Sequence, residues 1–71
     1  MEELIEQLAE ILDVEAAEIK LENKFTDYDN WDSLAALSII SLADTDYNKS
    51  LKRDNLLEFA NIGEFVKYLL G

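Results

Sequence analysis

The chain has 71 residues, and its 16 acidic side chains against 6 basic ones give a formal net charge of −10. It contains neither cysteine nor histidine, which excludes a disulfide framework, thiolate zinc sites and catalytic triads built on those side chains. Such a negative charge argues against binding to nucleic acids or anionic membranes, and it favours partners with basic surfaces.

The sequence shows no membrane-targeting segment. No apolar run approaches the ~20 residues that a membrane-spanning helix needs. The start, Met1-Glu2-Glu3, is acidic where a signal peptide would be basic. We therefore expect residues 1–71 to form one domain that is monomeric and cytoplasmic, with no nucleic-acid or membrane partner.

An amphipathic helix is predicted over residues 2 to 12. Its apolar residues recur with the spacing that places them along one face of an α-helix. They are Leu4, Ile5, Leu8, Ile11 and Leu12. From Asp13 to about Trp31 the apolar residues do not recur with a helical period, so a long connection follows this helix.

A second helix is predicted from Asp32 or Ser33 to about Asp46. Asp32 suits the N-cap position because its carboxylate can accept hydrogen bonds from the unpaired amides of the first turn. We expect the helix to bury a stripe of large aliphatic side chains. The apolar residues of this helix are Leu34, Leu37, Ile39, Ile40, Leu42 and Ala43, and the stripe consists of Leu34, Leu37 and Ile40.

Two further helices complete the prediction. A short one covers Asp54 to Phe59, and a longer one begins after Asn61, where Glu64 makes a start similar to a capping box. The residues that this last helix is expected to bury are Ile62, Phe65, Val66, Leu69 and Leu70. The predicted fold is all-α: a small four-helix bundle with a short third helix and a long loop between helices one and two.

The triplet Asp32-Ser33-Leu34 stands at the head of the second helix, where a serine hydroxyl is exposed and rigidly held. The chain is also short and acidic, has a long first loop, and opens its last helix with Ile62-Gly63-Glu64. In these features it resembles the acyl and peptidyl carrier proteins, and the resemblance covers the whole chain.

The resemblance implies that Ser33 carries a covalent 4′-phosphopantetheine arm derived from coenzyme A, and that this arm holds acyl or aminoacyl groups as thioesters. The implied partners are a phosphopantetheinyl transferase, a loading ligase, and downstream transferases or synthases. The chain itself would not be an enzyme and has no catalytic residue, because no histidine or cysteine is present to activate Ser33.

The second helix departs from the family pattern in its charge. Fatty-acid-type carriers usually carry acids on the outer face of this helix, whereas no residue from Ser33 to Ala43 is charged here. We expect docking that depends less on charge, as in peptidyl carriers or carriers of specialised biosynthetic pathways. The residues expected to contact partners are Asp32, Leu34, Ala35, Ser38, Ser41 and Asp44, of which Ala35, Ser38 and Ser41 are the outward positions.

Three alternatives stay open. Ser33 could be only a helix cap in an unmodified acidic interaction module, either an adaptor or a nucleic-acid mimic. Trp31 either anchors the loop on the core or contacts a partner. Asp27, Asp29 and Asp32 do not have the spacing of an EF-hand, so no metal site is assigned and a loosely bound surface cation is the remaining interpretation.

Overall fold

The computed structural model describes residues 2–71 and contains four α-helices. They are α1 (Glu2–Leu12), α2 (Ser33–Tyr47), α3 (Arg53–Glu58) and α4 (Ile62–Leu70). The connection between α1 and α2 includes two short 3₁₀ turns, at Ala16–Glu18 and Phe25–Asp27. No strand occurs in residues 2–71, and none of their helices is long and apolar enough to cross a membrane. The predicted four-helix all-α fold, with a short third helix and a long first loop, is confirmed.

The core is formed by aliphatic and aromatic side chains from all four helices and from the first loop. Its largest fully buried members are Leu4, Leu8, Leu12, Ile39, Leu56, Ile62 and Phe65. Removing a buried side chain as large as Phe65 costs ~3–5 kcal/mol. The predicted burial of Leu70 is wrong, because it lies beyond the edge of the stripe that Leu69 completes and is 48% exposed.

The face that α2 buries also differs from the predicted one. Its buried residues are Ala35, Ala36, Ile39, Leu42 and Ala43. Leu34 and Leu37 are 73% and 60% exposed, so the prediction that they lie in the core is wrong. The predicted outward position of Ala35 is wrong as well, since this residue is only 5% exposed.

The physical reason is that α2 is apolar around most of its circumference, so its hydrophobic period does not identify the buried face. The alanines on the buried face allow the α2 backbone to lie close to its neighbours. Leu34 and Leu37 are bulkier and would hold the helix away from the core. The face that carries Ala35, Ala36 and Ala43 is therefore the one that packs, and Leu34 and Leu37 remain at the surface.

The first loop is tied down by hydrogen bonds. The Tyr28 hydroxyl donates to the Glu18 carbonyl at 2.8 Å and accepts from the Lys20 N–H at 3.1 Å. The Gly63 N–H, in the first turn of α4, donates to the Leu21 carbonyl at 2.8 Å. A Cβ atom at Gly63 would lie 3.2 Å from that carbonyl oxygen, so the absence of a side chain permits this close approach.

The surface charge of the protein predicts how its melting temperature depends on salt. All sixteen acidic side chains are exposed, and the net charge is −10. Screening over a Debye length of ~8–10 Å weakens their mutual repulsion, so the melting temperature should rise from low salt to about 0.15 M sodium chloride. Thermal unfolding followed by circular dichroism measures this. Glu10→Gln, which removes one exposed charge, should show a smaller salt effect. A melting temperature that falls or stays constant as salt is added contradicts the prediction.

Candidate functional site

The start of α2 is set by Asp32. Its backbone is extended, with φ −154° and ψ −172°, and its carboxylate accepts a hydrogen bond from the Ala35 N–H at 2.8 Å. The Asp32 carbonyl also accepts from the Ala36 N–H at 3.0 Å. Asp32 is therefore the N-cap, as predicted, and Ser33 is the first residue of the helix.

Ser33 is exposed, so its hydroxyl can be reached from solvent. The first N–H groups of an α-helix have no carbonyl partner within the helix, and they lie at the positive end of its dipole. Asp32 satisfies the amides of Ala35 and Ala36, which leaves those of Ser33 and Leu34 close to the hydroxyl. A phosphodiester on Ser33 would be stabilised by these amides, although the nearby Asp32 carboxylate opposes part of that effect. The residues at this helix start therefore fit a covalently attached phosphate group.

The exposed face of α2 continues from Ser33 along the helix. Helical geometry places its members three or four positions apart on one side. They are Ser33, Leu34, Leu37, Ser38, Ser41 and Asp44, all of them exposed. This set includes every residue predicted to contact partners on α2 except Ala35, which lies in the core. It adds Leu37, whose exposure differs from its predicted place in the core.

The loop side of the site is held by an aromatic cluster. Trp31 is half-buried and stacks on Phe25, with ring centroids 5.5 Å apart and an interplanar angle of 19°. Phe25 in turn meets the edge of Phe65 of α4, with centroids 5.2 Å apart and an angle of 81°. Trp31 therefore anchors the loop on the core, which is the first of the two roles considered for it.

Two acidic residues, Asp27 and Asp29, lie in the loop before α2. Asp27 accepts a hydrogen bond from the Lys24 N–H at 2.9 Å, and Asp29 is exposed. Within residues 2–71, no group of three or more acidic, histidine or cysteine side chains is placed to hold a metal ion. These aspartates give the loop side of the site a negative charge, which contrasts with the uncharged face of α2.

Ser33 is thus a solvent-facing serine at the first residue of a helix, in a small acidic bundle. A family model described as "Phosphopantetheine attachment site" matches residues 2–69, and the chain belongs to this family. It is a carrier protein for covalently bound 4′-phosphopantetheine. Comparisons with curated proteins and with solved structures gave no match. Carrier domains generally interact with phosphopantetheinyl transferases and synthases and are typically non-catalytic.

The cap geometry predicts how α2 responds to changes at Asp32. Asp32→Ala removes the acceptor of the Ala35 N–H and should lower the free energy of unfolding by about 1 kcal/mol. Asp32→Asn keeps an amide oxygen at the same place and should cost less. Urea unfolding followed by circular dichroism compares the three proteins. Equal stabilities of wild type and Asp32→Ala would show that the cap does not contribute.

Proposed function

We propose that this protein holds acyl or aminoacyl intermediates as thioesters on a 4′-phosphopantetheine arm attached to the Ser33 oxygen, in a specialised biosynthetic pathway. The observation that carries the proposal is the exposed Ser33 hydroxyl at the first residue of α2, within a chain that belongs to the phosphopantetheine attachment family. The same family match disfavours the alternative of an unmodified acidic adaptor or nucleic-acid mimic.

In the proposed modification, the Ser33 oxygen forms a bond to the phosphorus of the phosphopantetheine group of coenzyme A. The P–O bond that joins this phosphorus to the nucleotide part of coenzyme A breaks, the nucleotide leaves with that oxygen, and the hydroxyl proton passes to a base. The chain has no histidine or cysteine that could act as this base, so we assign the base and any metal ion to the transferase. Once attached, the arm supplies the thiol that forms thioesters. This chain contributes the position and accessibility of Ser33 and is not itself an enzyme.

The proposed partner surface consists of the exposed side chains on α2, which we call the α2 docking face. It comprises Ser33, Leu34, Leu37, Ser38, Ser41 and Asp44, and Asp32 adjoins it at the N-terminal end. Any enzyme that encloses Ser33 also covers Leu34 and Leu37, because both lie within about one helical turn of it. Proximity to Ser33 therefore supports this face as a contact surface for the transferase and for later enzymes.

The energetics of the α2 docking face favour apolar contacts. Fully burying a leucine side chain contributes about 1.5–3 kcal/mol, whereas an exposed charge pair contributes ~0.2–1 kcal/mol. Leu34 and Leu37 are the large side chains on this face, and its acids are confined to the two ends, Asp32 and Asp44. This distribution supports docking as in peptidyl or specialised carriers, rather than the acid-dependent docking of fatty-acid-type carriers.

The attachment residue can be tested by substitution. Ser33→Ala should abolish loading by a broad-specificity phosphopantetheinyl transferase with coenzyme A, while its circular dichroism spectrum stays helical. Intact mass spectrometry should show wild type gaining one phosphopantetheine and Ser33→Ala gaining none. Ser50→Ala, which changes an exposed serine outside α2, is the matched control and should load like wild type. Loading of the Ser33→Ala protein would refute the assignment to Ser33.

Docking can be tested with charge introduced at an exposed leucine. Leu37→Arg should lower kcat/KM for loading by the same transferase about tenfold or more, because an apolar contact is lost and a charge is buried. Leu70→Arg changes a leucine of similar exposure on α4 and should have little effect. Asp44→Ala should also matter little, because it removes at most an exposed charge pair.

The opposite ranking would contradict an apolar docking surface. If Asp44→Ala impaired loading severely while Leu37→Arg left it unchanged, recognition along α2 would be electrostatic. Ala35→Arg is unsuitable for this comparison, since Ala35 is buried and the substitution would disrupt the core.

A further inference from the structure

The segment that contains Ser33 is a short exposed span between two residues that pack on the core. On one side is Trp31, whose ring lies against Phe25. On the other side is Ala35, which is 5% exposed. The three residues between them, Asp32, Ser33 and Leu34, are all exposed. Their side chains do not contribute to the buried core, so the position of Ser33 depends on Trp31, on Ala35 and on the Asp32 cap.

Two aromatic rings, those of Phe25 and Phe65, connect Trp31 to the core. Phe25 is 4% exposed and Phe65 is fully buried, so the ring on which Trp31 stacks is itself fixed. The backbone before it is held as well. The Trp31 N–H donates to the Tyr28 carbonyl at 3.1 Å, and the Asn30 side-chain amide donates to the Leu12 carbonyl of α1 at 3.1 Å.

We propose that Trp31 is a positioning residue for the modification of Ser33. This inference rests on the proposed function, because it concerns how Ser33 is presented to the transferase. The Trp31 ring fixes the residue that directly precedes Asp32, and so holds the extended backbone of Asp32 from which its carboxylate caps the helix. Without the ring, the cap and the first turn of α2 sample other conformations, and only a fraction of the molecules presents Ser33 correctly.

This mechanism has a specific kinetic signature. If only a fraction of the free carrier is competent, the apparent affinity of the transferase falls by that fraction, while the bound complex reacts at its normal rate. KM for the carrier should therefore rise and kcat should stay constant. Loss of one aromatic pair of ordinary strength corresponds to about a fivefold change in such an equilibrium, and this sets the upper limit of the rise in KM.

The experiment compares Trp31→Ala with Trp31→Phe, which keeps a ring stacked on Phe25. The matched control is Tyr68→Ala. Tyr68 packs on Phe59, and Phe59 packs on Phe65, with ring centroids 5.6 Å apart in both pairs, so this variant removes a different ring that is linked to Phe65. Loading kinetics with a broad-specificity transferase and coenzyme A are measured at a temperature at which circular dichroism shows every variant to be folded. Amide hydrogen exchange at Ala35 and Ala36 is measured by NMR on the same samples.

We expect Trp31→Ala to raise KM for the carrier measurably, by up to about fivefold, with kcat unchanged, and to accelerate exchange of the Ala35 and Ala36 amides. Trp31→Phe should restore most of both properties, and Tyr68→Ala should resemble wild type in both. If Trp31→Ala does not fold, Trp31→Leu takes its place, and it must raise KM more than Trp31→Phe does.

Two results would overturn the inference while the proposed function stands. In the first, wild type is loaded and Trp31→Ala, or its leucine substitute, has an unchanged KM. In the second, Trp31→Phe is impaired as severely as the alanine variant and amide exchange is unaltered, which would make Trp31 a direct contact of the transferase. Failure of wild type itself to be loaded would instead refute the proposed function, and this inference with it.

Discussion

The edge-to-face contact between Phe25 and Phe65 is the interaction on which the position of the candidate site depends. Phe65 belongs to α4 and is fully buried, while Phe25 lies in the long loop between α1 and α2. Their contact fastens the loop to the core at a point eight residues before Ser33, and it also creates the surface on which Trp31 stacks. The loop therefore holds the start of α2 at a defined position against the core, and the Asp32 side chain caps the helix there.

The second determinant is the unusual distribution of side-chain size on α2. Three alanines face the core beside Ile39 and Leu42, whereas the large Leu34 and Leu37 face solvent. This arrangement costs some hydrophobic stabilisation in a chain of only 71 residues, since two leucines are left largely in water. It also places an apolar patch beside Ser33, where a partner can cover it. The exposed acids elsewhere on the surface give the molecule a charge of −10, which opposes self-association through that patch.

In the proposed function, this chain presents the serine hydroxyl, and the partner enzymes carry out the reactions. The side chains around Ser33 position a hydroxyl and offer a docking face, and the chain contains no histidine or cysteine to activate it. What the fold must supply is an accessible serine in a fixed place. The N-cap and the stacked indole ring each act on residues directly before or within the first turn of α2. They can therefore hold the serine in place without a large domain.

The sequence by itself determined the features that depend on near neighbours. The helix starts at Asp32 and Asn61 follow from side chains that accept hydrogen bonds from amides three residues ahead, and these were predicted correctly. The buried faces of α1 and most of α4 follow from clear apolar periods, and the Asp32-Ser33-Leu34 triplet indicated the family. Only the tertiary structure decided which face of α2 is buried, because that helix is apolar on both sides and the choice depends on how closely its neighbours approach. The role of Trp31 was likewise undecided until its contact with Phe25 was known, since a stacking partner six residues away in an irregular loop leaves no periodic signal in the sequence.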